Sequence, residues 1–112
     1  MQFREITSGL RFPEGPVAMD DGSVIVVEMA AARISRVTPD GKIKVIAEPG
    51  GGPNGLAIGP DGALYVCNNG GNFEVHERDG LLIPGHTPAS HKGGRIERAN
   101  LSTGKGEGVY DK

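Results

Sequence analysis

An all-β fold built from β-propeller blades is the class this sequence predicts, and three observations predict it. The chain repeats itself: Phe12-Pro13-Glu14-Gly15-Pro16 returns forty residues later as Gly52-Pro53-Asn54-Gly55-Leu56. The register holds onward, with Asp21-Gly22 against Asp61-Gly62 and Val24-Ile25-Val26-Val27 against Leu64-Tyr65-Val66-Cys67. A period near 40 residues made of short strands and turns is the mark of a propeller blade. The second observation is composition: 19 of the 112 residues are Gly, without a collagen period, which suits a turn-dense β protein. The third is punctuation, because short apolar runs are separated by Asp-Gly pairs, the preferred residues of tight hairpin turns.

Scattered apolar positions in residues 1–12 (Phe3, Ile6, Leu10) predict one strand feeding the first repeat. A short strand follows at 16–19, and Asp20-Asp21-Gly22 turns the chain. Residues 24–27 form a continuous β-branched run, read as a strand buried on both faces. Ala30-Ala31-Ala32 is too short for a helix of its own and reads as a connecting turn. Alternating segments at 33–38 and 42–47, joined by Pro39-Asp40-Gly41, complete four strands, one blade's worth.

The second copy runs through 56–58, the Pro60-Asp61-Gly62 turn and 63–67. There the spacing changes. Arg33-Ile34-Ser35-Arg36 is echoed by Arg95-Ile96-Glu97-Arg98 at an offset of 62, so about 22 residues are inserted near 69–92, read as a loop. A closing strand starts at 108–110. The sequence therefore reads as one partial propeller domain over 1–112, about two four-stranded blades, with repeat 1 at about 13–52 and repeat 2 at about 53–112. Arrays of fewer than about three repeats are rarely stable, so the expectation is either further C-terminal blades or self-assembly, three copies closing a six-bladed ring.

Charge is balanced, 12 Lys and Arg against 14 Asp and Glu, and the cations are dispersed, which argues against a nucleic-acid partner. No run is long and apolar enough for a membrane span and the start shows no leader, so a cytoplasmic setting is expected. Cys67 is alone and, in its strand, is expected to be a buried thiol.

The variable slot of the repeat holds an oxygen donor both times, Glu14 and then Asn54. Matching positions in successive blades lie at matching radii, so both would converge on one point, and hard cations such as Ca²⁺ take carboxylate and amide oxygens alike. The competing reading makes Asn54 an αL turn residue and Glu14 a solvated loop acid. Asn68 and Asn69 end the second copy's inner strand, where they could bind a sugar hydroxyl or simply build an Asn-Asn-Gly-Gly turn. Gly50-Gly51-Gly52-Pro53-Asn54-Gly55 fits the dinucleotide fingerprint by spelling alone, since a strand and a turn follow it instead of a helix. His76, His86 and His91 lack the spacing of a metal helix and read as solvated loop residues, with a share in substrate contact left open. No covalent nucleophile is visible.

Together Leu10-Arg11-Phe12-Pro13-Glu14-Gly15-Pro16, the Pro-Asp-Gly turns, Gly52-Pro53-Asn54-Gly55-Leu56-Ala57, Val66-Cys67-Asn68-Asn69-Gly70-Gly71 and Gly93-Gly94-Arg95-Ile96-Glu97-Arg98 resemble the SMP-30/gluconolactonase/LRE family over nearly the whole chain. The resemblance implies the N-terminal third of a six-bladed propeller and metal-dependent hydrolysis of sugar lactones, a carboxylic ester hydrolase using Ca²⁺ first, with Zn²⁺, Mg²⁺ or Mn²⁺ as substitutes. It makes Glu14 a metal ligand and Asn54 a substrate or metal contact. It puts the remaining ligands and the general base beyond Lys112, so no catalytic residue is expected within this chain and no activity from it alone. Gly52 stands where some members carry an Arg, which leaves the lactone unspecified. The alternative is a non-catalytic propeller fragment, a binding or scaffold module.

Overall fold

The computed structural model describes residues 2–111. Strands β1 (Pro13–Ala18), β2 (Val24–Glu28), β3 (Arg33–Val37) and β4 (Ile43–Ala47) form a four-stranded antiparallel sheet in chain order. The second sheet is built from β5 (Pro53–Ile58) and β6 (Leu64–Asn68), then, past a separate hairpin of β7 (Val75–Arg78) and β8 (Leu81–Pro84), from β9 (Arg95–Ala99) and β10 (Gly106–Tyr110). These are two blades of a β-propeller, and their registers coincide: Val24 pairs with Val37 and Glu28 with Arg33, as Leu64 pairs with Ala99 and Asn68 with Arg95.

The Asp-Gly pairs act as read. At Asp21, Asp40 and Asp61 the carboxylate Oδ1 accepts the backbone N–H two residues on, and Gly22, Gly41 and Gly62 take the positive φ that follows. The core lies between the blades. Ile25, Val27 and Ile34 of the first meet Leu64, Val66 and Ala99 of the second, all of them buried, with Met19, Leu56 and Leu101 packed around them. The other face of blade 1 (Val24, Val26, Val37) lies across a groove from Ile6, Thr7 and Leu10, and Thr7 Oγ1 donates to the Gly41 carbonyl at 2.8 Å. The run 24–27 is thus covered from both sides.

Several expectations are corrected. Residues 2–12 form no strand (Met1 lies outside the described residues), and the backbone of the last two is engaged elsewhere. Arg11 N donates to the Glu28 carboxylate, while the Arg11 and Phe12 carbonyls accept from Ala30 N and Met29 N. The connecting turn expected at Ala30-Ala31-Ala32 is present, by contrast, as a single 3-10 turn over Met29–Ala31 closed by Ala32 in the left-handed region. Cys67 is exposed, not buried. Blade 2 is covered by blade 1 on one face only, so Leu64, Val66 and Asn68 go in and Cys67 comes out, the period-2 rule applied to a one-sided sheet. The insert is no featureless loop: Asp79 and Gly80 adopt φ +53° and +79°, the signature of a two-residue hairpin turn, and join β7 to β8. Among the described residues no helix is long and apolar enough to cross a membrane.

Candidate functional site

Both repeat openings are strand, not turn. β1 and β5 start at Pro13 and Pro53, three residues before the predicted 16 and 56, since each proline already pairs across the ladder, with Glu28 and Asn68 respectively. A proline is tolerated at the first residue of a strand, where its missing N–H costs no ladder bond. Asn54 therefore sits in a strand, and its αL reading is overturned.

Each opening is also bulged. Pairing shifts between Glu14 and Val17 in β1, and between Pro53 and Gly55 in β5. A bulge re-aims the side chain it carries and is frequent beside functional sites. The two strands lie against each other at this level: a Cβ built on Gly15 would stand 3.0 Å from Leu56 N and 3.2 Å from Gly55 Cα. Glu14, half-buried, stays paired with Val27 and its bulge follows at Gly15-Pro16, whereas Asn54, exposed, is the unpaired residue of its own bulge; the two hold the same place in the repeat on neighbouring strands, each beside a bulge. Neither side chain makes a hydrogen bond or ion pair among the described residues.

Across the ladder from Pro13 and Pro53 lies a layer that is fully used. Glu28, 0% exposed, accepts from Arg33 Nε at 2.6 Å, Arg33 Nη2 at 2.9 Å, Ser35 Oγ at 2.5 Å and Arg11 N at 2.8 Å. Burial pushes its carboxyl up, yet the bonds from Arg33, Ser35 and Arg11 outweigh that and hold it below its usual value of 4.5. Asn68, at the matching place in blade 2, is 3% exposed. Its Oδ1 accepts from Gly52 N and Gly70 N; its Nδ2 donates to the Gly50 carbonyl and Glu97 Oε1. All four of its hydrogen-bonding positions are filled, so the reading of Asn68 as a substrate contact gives way to a structural one: it ties the 50–52 linker to β9.

Asn69 is partly engaged. Its Oδ1 accepts from Gly71 N and Asn72 N, and its Nδ2 points at Met29 Sδ at 3.5 Å, leaving one N–H. Asn54, Asn69, Arg95 and Ile96 line a groove of about 350 Å³ with Cys67 and Tyr110; Glu14 is not among its lining residues. The structure thus brings Glu14 and Asn54 to one level on adjoining strands, and Asn54 and Asn69 into one groove. The three histidines are not gathered. His76 lies on β7, His86 beyond β8, and His91 bonds the Asn69 carbonyl at 2.8 Å, pinning the return of the insert. Among the described residues no three His, Cys, Asp or Glu side chains form a group suited to a metal.

Sequence reasoning missed the buried charge layer. Its signal was present in the repeat itself: blade 1 carries Glu28 and Ser35 where blade 2 carries Asn68 and Glu97, with Arg33 and Arg95 constant. The acid changes strand, and the arginine follows it, Arg95 Nε lying 3.2 Å from Glu97 Oε1.

Two antiparallel four-stranded blades, with Glu14 and Asn54 in the openings of their first strands, define a propeller chain. The chain belongs to the SMP-30/gluconolactonase/LRE-like family, whose model matches residues 12–103. It is 47% identical over 64 residues to a virginiamycin B lyase of Nocardia farcinica, covering 55% of this chain and 23% of that one. To a gluconolactonase of Zymomonas mobilis it is 30% identical over 79 residues, covering 58% and 22%. The chain spans less than a quarter of either relative's length. Among solved structures it is similar to a streptogramin B lyase (TM-score 0.48, 20% identity, 88% of this chain and 40% of that one) and to a catalytically inactive virginiamycin B lyase of Staphylococcus aureus with quinupristin (TM-score 0.47, 23% identity, 88% and 41%).

Proposed function

We propose that this chain supplies the first two oxygen donors of a divalent-cation centre in a sugar-lactone hydrolase, and that it does not turn over lactone by itself. One observation carries the reading. Glu14 and Asn54 hold the same place in the repeat, each at the bulged opening of adjoining strands, and have no side-chain partner of their own, whereas the carboxylate and carboxamide that end the next strands, Glu28 and Asn68, are consumed by the fold. The family and the gluconolactonase relative support the substrate class.

A carboxylate and an amide oxygen suit a hard cation, Ca²⁺ first and Zn²⁺, Mg²⁺ or Mn²⁺ as substitutes. Two donors are only part of the six to eight Ca²⁺ takes. The other ligands and the general base therefore belong on further blades, from a longer chain or from other copies of this one. When bound, such an ion polarises a carbonyl oxygen and acidifies a water. Glu14 would neutralise and hold it; the Asn54 carboxamide and the remaining N–H of Asn69 would orient the lactone's oxygens. A cytoplasmic setting belongs to the same reading.

Calcium titration with thermal unfolding as the readout tests the reading. The chain should gain stability as RT ln(1 + [Ca²⁺]/Kd) with a dissociation constant in roughly the millimolar range, and Glu14→Gln should abolish the gain. Lactone turnover by the chain alone should stay at background. No shift in either protein favours the alternative, a non-catalytic binding or scaffold module.

A further inference from the structure

At the opposite end of the strands the two blades enclose a cleft of about 620 Å³, lined by Arg36, Lys44 and Thr38 of blade 1 and by Leu101, Ser102 and Thr103 of the β9–β10 turn. Arg36 pairs directly with Ile25 on one side and Lys44 on the other. Side chains of directly paired residues leave the sheet on the same face. Since Ile25 is wholly buried between the blades, Arg36 and Lys44 both turn toward blade 2.

Two features of this cleft are costly as they stand. Two cations occupy directly opposed ladder positions, an arrangement that repels. Arg36 Nε is, among the described residues, the buried side-chain polar atom with no hydrogen-bond partner. A buried guanidinium N–H left unpaired is expensive, and a water or an ion is one of the partners that satisfy such an atom in native proteins. The acid at hand does not cure this. Asp21 Oδ2 lies 4.0 Å from Arg36 Nη1, on the other branch of the guanidinium, and Asp21 Oδ1 is taken by Ser23 N and Oγ. Opposite the cations stand two available hydroxyls. Ser102 Oγ makes no bond among the described residues, and Thr103 Oγ1 accepts from Lys105 N, which leaves its own O–H free to donate.

We propose that this inter-blade cleft binds a small phosphate-class oxyanion, held by Arg36 and Lys44 and capped by the hydroxyls of Ser102 and Thr103. Arginine offers planar, directional donors matched to phosphate oxygens, and lysine adds a point charge. The ligand is either free phosphate or the phosphoryl group of a small metabolite. The cleft lies at the far end of β3 from Arg33 and shares no residue with Glu14 or Asn54, so it stands independently of the cation centre.

The experiment is a titration of sodium phosphate into the full chain, by calorimetry and thermal unfolding, against sodium chloride at matched ionic strength. Phosphate should bind and raise Tm beyond the chloride control. Arg36→Gln and Lys44→Gln should each weaken the apparent affinity at least tenfold, Asp21→Asn should leave it equal or tighter, and Glu14→Gln should leave it unchanged. Glucose 6-phosphate binding more tightly than inorganic phosphate assigns the phosphoryl source; phosphate binding as tightly as or more tightly than glucose 6-phosphate assigns the free anion. Equal responses to phosphate and chloride, or full affinity in Lys44→Gln, overturn the proposal. Lys44 is exposed, so that variant decides even if Arg36→Gln fails to fold.

Discussion

At the scale of single residues, buried charge is what sets this chain apart from a simple apolar sandwich. Glu28 is fully enclosed and meets four donors, so neutralising it strands the Arg33 guanidinium. Removing one partner of a wholly buried pair costs about 3–5 kcal/mol. Arg33 keeps 29% of its side chain in water, so Glu28→Gln should cost less, roughly 2–3 kcal/mol in urea unfolding. The sign with pH follows from the lowered carboxyl. A depressed folded value means the stabilisation is complete above the ordinary 4.5 and is lost as pH falls below it. The gap between the wild type and Glu28→Gln should therefore be constant near neutrality and narrow in acid. A gap that holds its width down to pH 3 would show that hydrogen-bond geometry, not charge, carries the effect.

At the scale of elements, the inner strands explain what could be read and what could not. Their existence and order followed from the 40-residue repeat, the β-branched run at 24–27 and the Asp-Gly turns, because each is a local signal. The bulges at Gly15-Pro16 and at Asn54 were hidden, since a bulge is a mismatch between two strands and neither strand's sequence records it alone. The hairpin in the insert was half visible: Asp79-Gly80 named its turn, but 75–78 and 81–84 alternate too weakly to announce strands. The fate of Cys67 was set by a neighbour, or the lack of one, on the outer face of blade 2. Gly15 makes the bulge testable. It adopts φ +56°, and any Cβ there would press on the backbone of Leu56 and Gly55. Gly15→Ala should lower stability by upwards of ~1 kcal/mol, strain and crowding adding together. Gly108→Ala, with open space around it and ordinary φ, should stay within about 0.5 kcal/mol of wild type and serves as the control. Equal stability of the two variants would mean β1 does not rest on β5 as described.

For the molecule as a whole, the decisive fact is that the main buried apolar cluster belongs to neither blade. Ile25, Val27 and Ile34 have no core without Leu64, Val66 and Ala99, and each sheet alone would show that face to water. Two blades sharing a single core should unfold as one cooperative unit, although their ladders are separate and no strand crosses between them. Leu64→Ala tests this at a site 1% exposed. The truncation removes about 2–4 kcal/mol through lost burial and the cavity left behind. If the core is common property, amide exchange in β2 of blade 1 should accelerate by the same factor as in β6 of blade 2, roughly thirty- to several-hundred-fold for that range of energies. Acceleration confined to β5, β6, β9 and β10 would mean that blade 1 keeps its structure without blade 2. The strands carrying Glu14 and Asn54 could then no longer be treated as one rigid site, since a shared core is what fixes β1 against β5. Cooperative loss instead ties the geometry of the donors to packing some strands away, so that a purely apolar substitution in the core should also weaken any response to calcium.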